Sequence, residues 1–354
     1  MSELMENRSR RLVIRWDLLA SASAIVLANY ACCITVANAG EADRPTLWIE
    51  LDGQYLFQDE SASLFAPPFL AASPFDGNSH LGLEDGPGTN WEKGGSITLR
   101  PSRTDWFLKF EARYGKSSRV GLRDSHPTAA NLTKYSGNHY TAYQNLSAHS
   151  SASHVVADFE VGRDVGIGRF GSDGNSVLSG GIRIAQFRSR SHIAIKSQPT
   201  NTNAYNPYNK FYASLDAARK FNGIGPSLSW NASATLIGDR SEARIAFDWG
   251  VNAAILFGRQ KSDVSHQTTE NHFNYFHATQ AYQTGSNSQR SKSVVVPNLG
   301  AFAGLSWRYP AAKLAFGYRA DFFFGAMDTG IDVRKSSMVG FHGPFATISL
   351  GLGG

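Results

Sequence analysis

Residues 105–115 read Asp105-Trp-Phe-Leu-Lys-Phe-Glu-Ala-Arg-Tyr-Gly115. Every second position is apolar: Trp106, Leu108, Phe110, Ala112 and Tyr114. On the other side of the alternation stand Lys109, Glu111 and Arg113. A period of two marks an extended strand, whose successive side chains point to opposite faces.

The pattern recurs nine more times, over Leu47–Phe57, Trp91–Arg100, His154–Gly168, Val177–Ser189, Phe221–Leu236, Ala243–Gly258, Val294–Trp307, Lys313–Gly325 and Gly340–Leu352. In the run from Lys313, Leu314, Phe316, Tyr318, Ala320, Phe322 and Phe324 oppose Arg319 and Asp321. Most runs reach the roughly 9–11 residues that a tilted strand needs to cross a membrane. The connections between them alternate in length. Long ones cover 58–90, 117–153, 190–220 and 260–293, with a shorter one at 326–339; short ones cover 101–104, 169–176, 237–242 and 308–312. Outer-membrane barrels have short periplasmic turns and long outer loops. An even strand count returns both ends of the chain to the periplasmic side. Six of the seven Trp fall inside the runs: Trp48, Trp91, Trp106, Trp230, Trp249 and Trp307. Four of these sit near run ends, as interfacial girdles require.

Composition agrees. The chain of 354 residues is 42% hydrophobic, 12% aromatic and only 18% charged, with 34 Gly. A mean hydropathy of −0.27 excludes a helical membrane protein. The aromatic content excludes a disordered chain. A formal charge of +5 with no basic run gives no reason to expect a nucleic-acid partner.

The first 39 residues read as an export signal. Arg8, Arg10, Arg11 and Arg15 precede a mostly apolar stretch from Leu18 to Val36, and Ala37-Asn-Ala39 fits the small-x-small cleavage rule. The expected domains are therefore a signal peptide over 1–39 and one barrel over 40–354. Both cysteines, Cys32 and Cys33, leave with the signal. The mature chain then has no disulfide, thiolate or Cys-zinc chemistry.

The expected fold class is an all-β, transmembrane, antiparallel up-and-down barrel of about ten strands with long extracellular loops. Its residues also resemble a known family. Asp158-Phe-Glu-Val-Gly-Arg-Asp-Val-Gly-Ile-Gly168 is followed by Gly180-Gly-Ile-Arg-Ile-Ala-Gln-Phe187 and Phe221-Asn-Gly-Ile-Gly-Pro226. Then come Ala253-Ala-Ile-Leu-Phe-Gly258 and Phe341-His-Gly-Pro-Phe345. This ordered series is similar to the pore-forming outer-membrane protein family named for the Legionella major outer membrane protein, over roughly residues 46–352. The resemblance implies a barrel pore in a Gram-negative outer membrane and carries no catalytic residues. One departure is the end of the chain, Leu350-Gly-Leu-Gly-Gly354, where barrel proteins usually carry the aromatic residue read during assembly.

The polar sides of the runs define the expected lumen: Glu50, Asp52, Lys109, Glu111, Arg113, Asp158, Glu160, Asp164, Arg183, Arg244, Asp248, Arg319 and Asp321. Both signs are mixed, so pairing is expected: Arg113 with Asp158 or Glu160 on the neighbouring strand, and Arg319 with Asp248 or Asp321 with Arg244 across the lumen. Two outcomes stay open, a small water-filled pore or a salt-bridged plug. Arg163 falls on the apolar side; it either lies at the periplasmic rim or is turned inward by a bulge at Gly162.

The expected function is passive diffusion of small solutes or ions through a narrow polar lumen. The alternatives are an adhesin or structural barrel with ligand-binding loops, and a protease of the omptin type. The protease needs acids and a His at the outer rim. His80, His126, His139, His149, His192, His266, His272 and His277 read as outer-loop residues, and His154 as a strand top. Only Asp124-Ser-His126 is compact, and Pro127 makes it read as a turn. His272 and His277 have no metal-ligand spacing on a regular element. No P-loop lysine motif is present. No enzyme, cofactor or metal is expected. The expected partners are outer-membrane lipid and lipopolysaccharide, the barrel-assembly machinery and small solutes.

Overall fold

A computed structural model describes residues 46–101, 104–117, 120–125, 145–165, 175–197, 209–238, 243–273 and 279–352, apart from 61–88. The export segment, the chain end after residue 352 and the sequence-predicted loop residues His80, His126, His139 and His277 lie outside the described residues.

All regular elements of the described residues are strands: β1 (Leu47–Glu60), β2 (Thr89–Leu99), β3 (Trp106–Ser117), β4 (Val120–Ser125), β5 (Asn145–Asp164), β6 (Asn175–Ser197), β7 (Asn209–Ile237), β8 (Arg244–Phe273), β9 (Thr279–Arg308), β10 (Ala312–Asp328) and β11 (Ser336–Leu352). They form one antiparallel sheet in the order β3-β2-β1-β11-β10-β9-β8-β7-β6-β5-β4, and β3 also pairs with β5. That last pairing closes the barrel. β3 and β4 lie end to end along the same edge of β5, so eleven strands fill ten places. Between Lys116↔Ser153 and Val120↔Ser150 one edge advances four residues while the other advances three. Ser117 Oγ accepts from Ala152 N at 2.6 Å beside this step. The ten places match the ten sequence runs.

The alternation points the opposite way from that of a soluble protein. Outward Phe159, Ile182 and Phe316 are 59%, 52% and 55% exposed, whereas inward Arg113, Asp158, Arg183 and Asp321 are at most 5% exposed. Only a surrounding lipid makes that distribution favourable, since burial of apolar surface is otherwise the main gain of folding. Trp106 and Trp307 project outward at the end that carries the short turns, and Trp91 near the upper end of β2.

Arg163 settles at the rim. The β5 register runs through Gly162 without a shift, so no bulge turns it. It stays outward, one residue from the end of β5, with Asp105 at 3.8 Å and the Trp106 ring beneath its guanidinium at 5.9 Å. An Arg near the interface costs only about 0–1 kcal/mol.

The strands run further than the sequence alternation. β7, β8 and β9 have 29, 30 and 30 residues. Much of 145–153, 190–197, 209–220, 260–273 and 279–293, expected as loop, is therefore paired sheet standing above the apolar belt. His149, His192, His266 and His272 accordingly sit on strands rather than in loops. The one marked irregularity of β10 against β11 lies between Phe323 and Met327, where Gly325 adopts φ +71°, a region that favours glycine.

Candidate functional site: the lumen

The inward positions form three storeys. Each strand contributes to them in the same vertical order, because the sheet register locks the strands together.

The lowest storey is charged. Asp158 and Arg183 are direct register partners on β5 and β6, and Arg183 grips Asp158 through Nε at 2.6 Å and Nη2 at 3.0 Å. Its Nη1 donates to Asn252 at 2.6 Å and to Asn298, on β8 and β9. Arg113 reaches across the lumen from β3 to Asp321 on β10 at 2.8 Å, with Glu111 at 3.3 Å and Glu92 at 3.7 Å. The expected pairing of Arg113 with Asp158 or Glu160 is not formed. The register sets Val156 opposite Arg113, and Arg183 occupies Asp158. Arg319 bonds Asp52 at 2.7 Å and stands 3.9 Å from Glu92, so it does not pair with Asp248. Lys109 and Glu111 pair within β3 at 2.5 Å.

The remaining expected residues lie below this centre. Glu160 accepts from Ser179 at 2.9 Å and Ser229 at 3.2 Å. Glu50 accepts from Ser349 at 2.8 Å. Asp248 is held by Arg308 and by Lys313 at 2.9 Å, both near the short turn between β9 and β10. Asp164 and Arg244 are half-buried at the short-turn ends of β5 and β8, and Asp321 is committed to Arg113 rather than Arg244.

Several members of this storey escaped the sequence reading. Glu92 is 2% exposed and takes His154 Nε2 at 2.6 Å. Parity marks it, since Glu92 and Ser96 share the face opposite Ile97 and Leu99. His154 lies within β5 rather than at its top. Gln54 and Asn252 lie on the polar faces of their sequence runs but, being neutral, are not among the charges expected to line the lumen, and Asn298 carries no such signal. Gly300 is the space these groups need: a Cβ there would strike Asp321 Oδ1 and the Asn252 amide.

The second storey is apolar, and nothing in the expected polar lumen anticipates it. One step above Gln54, Asp158, Arg183, Asn252 and Asp321, the inward residues become Leu56, Val156, Ala185, Ala254 and Phe323. Phe187, Phe221, Leu256, Val296, Met327, Val339 and Phe341 complete a buried cluster. It closes across the barrel. Phe187 on β6 packs on Phe323 of β10 at 4.7 Å between ring centroids and on Phe341 of β11 at 5.6 Å, neither strand being its sheet neighbour.

The third storey is polar and carries a lid, residues 329–335 between β10 and β11. Arg290 Nε bonds Asp328 at 3.0 Å, and its two terminal nitrogens donate to the carbonyls of Ile331 and Gly330, each at 2.6 Å. Arg219 donates to Thr329 O at 3.2 Å and Arg334 to Gln260 at 3.0 Å. His266, buried on β8, meets Asp332 at 2.8 Å, and Ser286 donates to the same oxygen at 2.7 Å. These bonds hold the Asp332 carboxyl below the ordinary carboxylate range, Ser286 first and His266 second.

The described residues contain no group of three His, Cys, Asp or Glu arranged to hold a metal ion.

Two solved transporters illustrate what this chain is similar to. The Ralstonia pickettii toluene transporter TbuX is 10% identical, with a TM-score of 0.28, covering 87% of this chain and 90% of its own. The P. putida toluene transporter TodX is 9% identical, with a TM-score of 0.25, covering 89% and 91%. No curated protein matches in sequence. The family model described as the Legionella pneumophila major outer membrane protein precursor matches residues 107–351. That span is well over half of the chain and runs from β3 into β11, most of the closed antiparallel barrel, so the protein belongs to the Legionella major outer membrane protein family and is an outer-membrane β-barrel.

Proposed function

We propose that the barrel is a passive diffusion channel for small polar solutes and ions, with the apolar cluster as its gate. The charged storey carries this reading. A barrel that only displayed outer loops would be as stable, or more so, with an apolar filling, because buried ion pairs rarely repay their desolvation. Here the charges span the lumen, and Asp52 Oδ1, Glu92 Oε1 and Asp321 Oδ1 have no hydrogen-bond partner among the described residues. All three are buried in this closed arrangement and would meet a solute only once the lumen opens. The apolar storey above has the chemistry of a constriction that opens by wetting. The thirteen charged residues expected from the sequence are proposed as the lining, with Glu92, His154, Asn252 and Asn298 added.

The test is planar-bilayer conductance of the refolded mature chain. Discrete openings are expected in the parent, and longer or larger ones in Phe187→Ala, which removes the ring that bridges three strands. No openings in either protein would overturn the channel. The second reading, a structural barrel whose upper wall binds a surface ligand, rests on the length of β6–β9 above the belt and would then stand. The proposed role is non-enzymatic: His266 and His192 engage single carboxylates, Asp332 and Asp216, and omptin-type hydrolysis needs a second acid pair beside such a dyad.

A further inference from the structure

The outer wall changes character abruptly where β6–β9 leave the apolar belt. Ile184, Ile224, Phe257 and Val295 are register partners across the four strands. Ile224, Phe257 and Val295 are more than half exposed, and Ile184 nearly so. The next outward row is Gln186, Asn222, Arg259 and Ser293. The row above it is Arg188, Lys220, Lys261 and Ser291. Arg190 follows on β6.

Three cations thus face one another on adjacent strands. Like charges directly opposite are destabilising in a sheet. Neither Arg188, Lys220 nor Lys261 has a carboxylate partner among the described residues. The nearest outward acids are Asp263, one row up on β8, which takes a bond from Gln289 at 3.4 Å, and Asp216, which is engaged by His192 at 2.6 Å. An open cavity of about 640 Å³ touches Arg188, Arg190, Lys220, Arg259 and Lys261, Asp263 being the acid in its lining, and also reaches inward-facing residues of the same strands such as Arg219 and Arg290.

Height supplies the ligand. Lys220 lies four residues beyond Ile224, about 13 Å along the strand and ~10 Å along the membrane normal at a tilt near 40°. The headgroup layer extends roughly 5–8 Å beyond the hydrocarbon, well within reach of Lys and Arg side chains. Flanking connections place this face on the outer side of the membrane.

We propose that the β6–β8 wall is a binding site for the phosphorylated headgroup of an outer-leaflet glycolipid. The acyl chains lie on the row of Ile184, Ile224 and Phe257. Phosphate oxygens accept from Arg188, Lys220 and Lys261, and Arg259 bridges the two levels while its Nε donates to Ser291 at 2.7 Å. Two phosphates on one headgroup neutralise a cluster that folding alone disfavours.

The experiment uses the full mature barrel in zwitterionic detergent and a bisphosphorylated, acylated glucosamine disaccharide as probe, with bound lipid read by native mass spectrometry. Binding is expected to be at least tenfold weaker for Lys220→Gln/Lys261→Gln. Lys220→Arg keeps it, and Lys93→Gln/Lys196→Gln, which removes the same charge from other outward positions, leaves it unchanged. Heat-modifiable mobility on electrophoresis confirms folding of each variant. The proposal fails if the cluster variant holds lipid as the parent does, if the control pair loses it equally, or if inorganic phosphate at equal concentration displaces the lipid. The readout is independent of conductance, so its failure leaves the channel reading intact.

Discussion

The charged and apolar storeys of the lumen are built on the same strands, two residues apart, and they follow opposite rules. In the lower one, position is set by partners: Arg113 lies where Asp321, Glu92 and Glu111 converge. In the upper one, position is set by volume, with Phe187, Phe221, Phe323 and Phe341 filling the tube with rings. The lower storey is therefore sensitive first to charge balance, and the upper storey first to side-chain volume. A narrow barrel of ten strands needs both, since its lumen is too small to be left to water and too wide for one layer of side chains.

The largest effect should come from breaking the lower rule. Arg113→Ala leaves Asp321, Glu92 and Glu111 facing one another without their shared cation. Removing one partner of a buried pair costs about 3–5 kcal/mol, so the urea midpoint in lipid should fall sharply. The double change Arg113→Met/Asp321→Leu should recover more than half of that loss. If the single and double variants were equally unstable, packing rather than charge would govern this storey.

Breaking the upper rule should cost somewhat less. Phe221 is fully buried and stacks on Phe187 at 5.7 Å. Phe221→Ala should lower stability by about 3 kcal/mol through lost transfer and a residual cavity. Phe221→Leu, which keeps most of the volume, should cost under ~1.5 kcal/mol. Equal losses in the two variants would show that the rings act through specific aromatic geometry rather than by filling space.

The same contrast explains what the sequence disclosed. Parity alone sorted Arg113, Asp158, Arg183 and Asp321 to one side of their strands, because each stands between apolar neighbours, at least one of them large. It did not reveal that Arg113 meets Asp321, 208 residues away, since cross-lumen partners depend on register and tilt together. Phe187 and Phe221 stayed hidden for a different reason. They share inward parity with Arg183 and Gly223, but an apolar residue at an inward position looks like a break in the pattern rather than a layer. The upper parts of β5, β8 and β9 escaped because both of their faces are largely polar, whereas those of β6 and β7 alternate only weakly through Ile193, Ala213, Leu215 and Ala217. Period-two reading needs contrast, and stretches such as Ser150-Ser-Ala-Ser153 and Ser262-Asp-Val-Ser-His266 have little once the lipid is left behind.

The lid is where the comparison can be sharpened with least disturbance. Asp332 is bonded by Ser286 and His266, and its carboxyl titrates below the ordinary carboxylate range. A depressed folded-state value means the contact favours the closed lid at pH above the unfolded value and is lost as pH falls through the depressed one. Amide protection factors in 329–335 should therefore fall only below pH ~4, while those in the charged and apolar storeys stay high. Because the Asp332 side chain is 56% exposed, the effect is small and confined to the lid. Asp332→Asn should remove this acid limb. A fall that spread into β8 or β10 at the same pH would instead tie the lid to the apolar storey, making the two open as one unit.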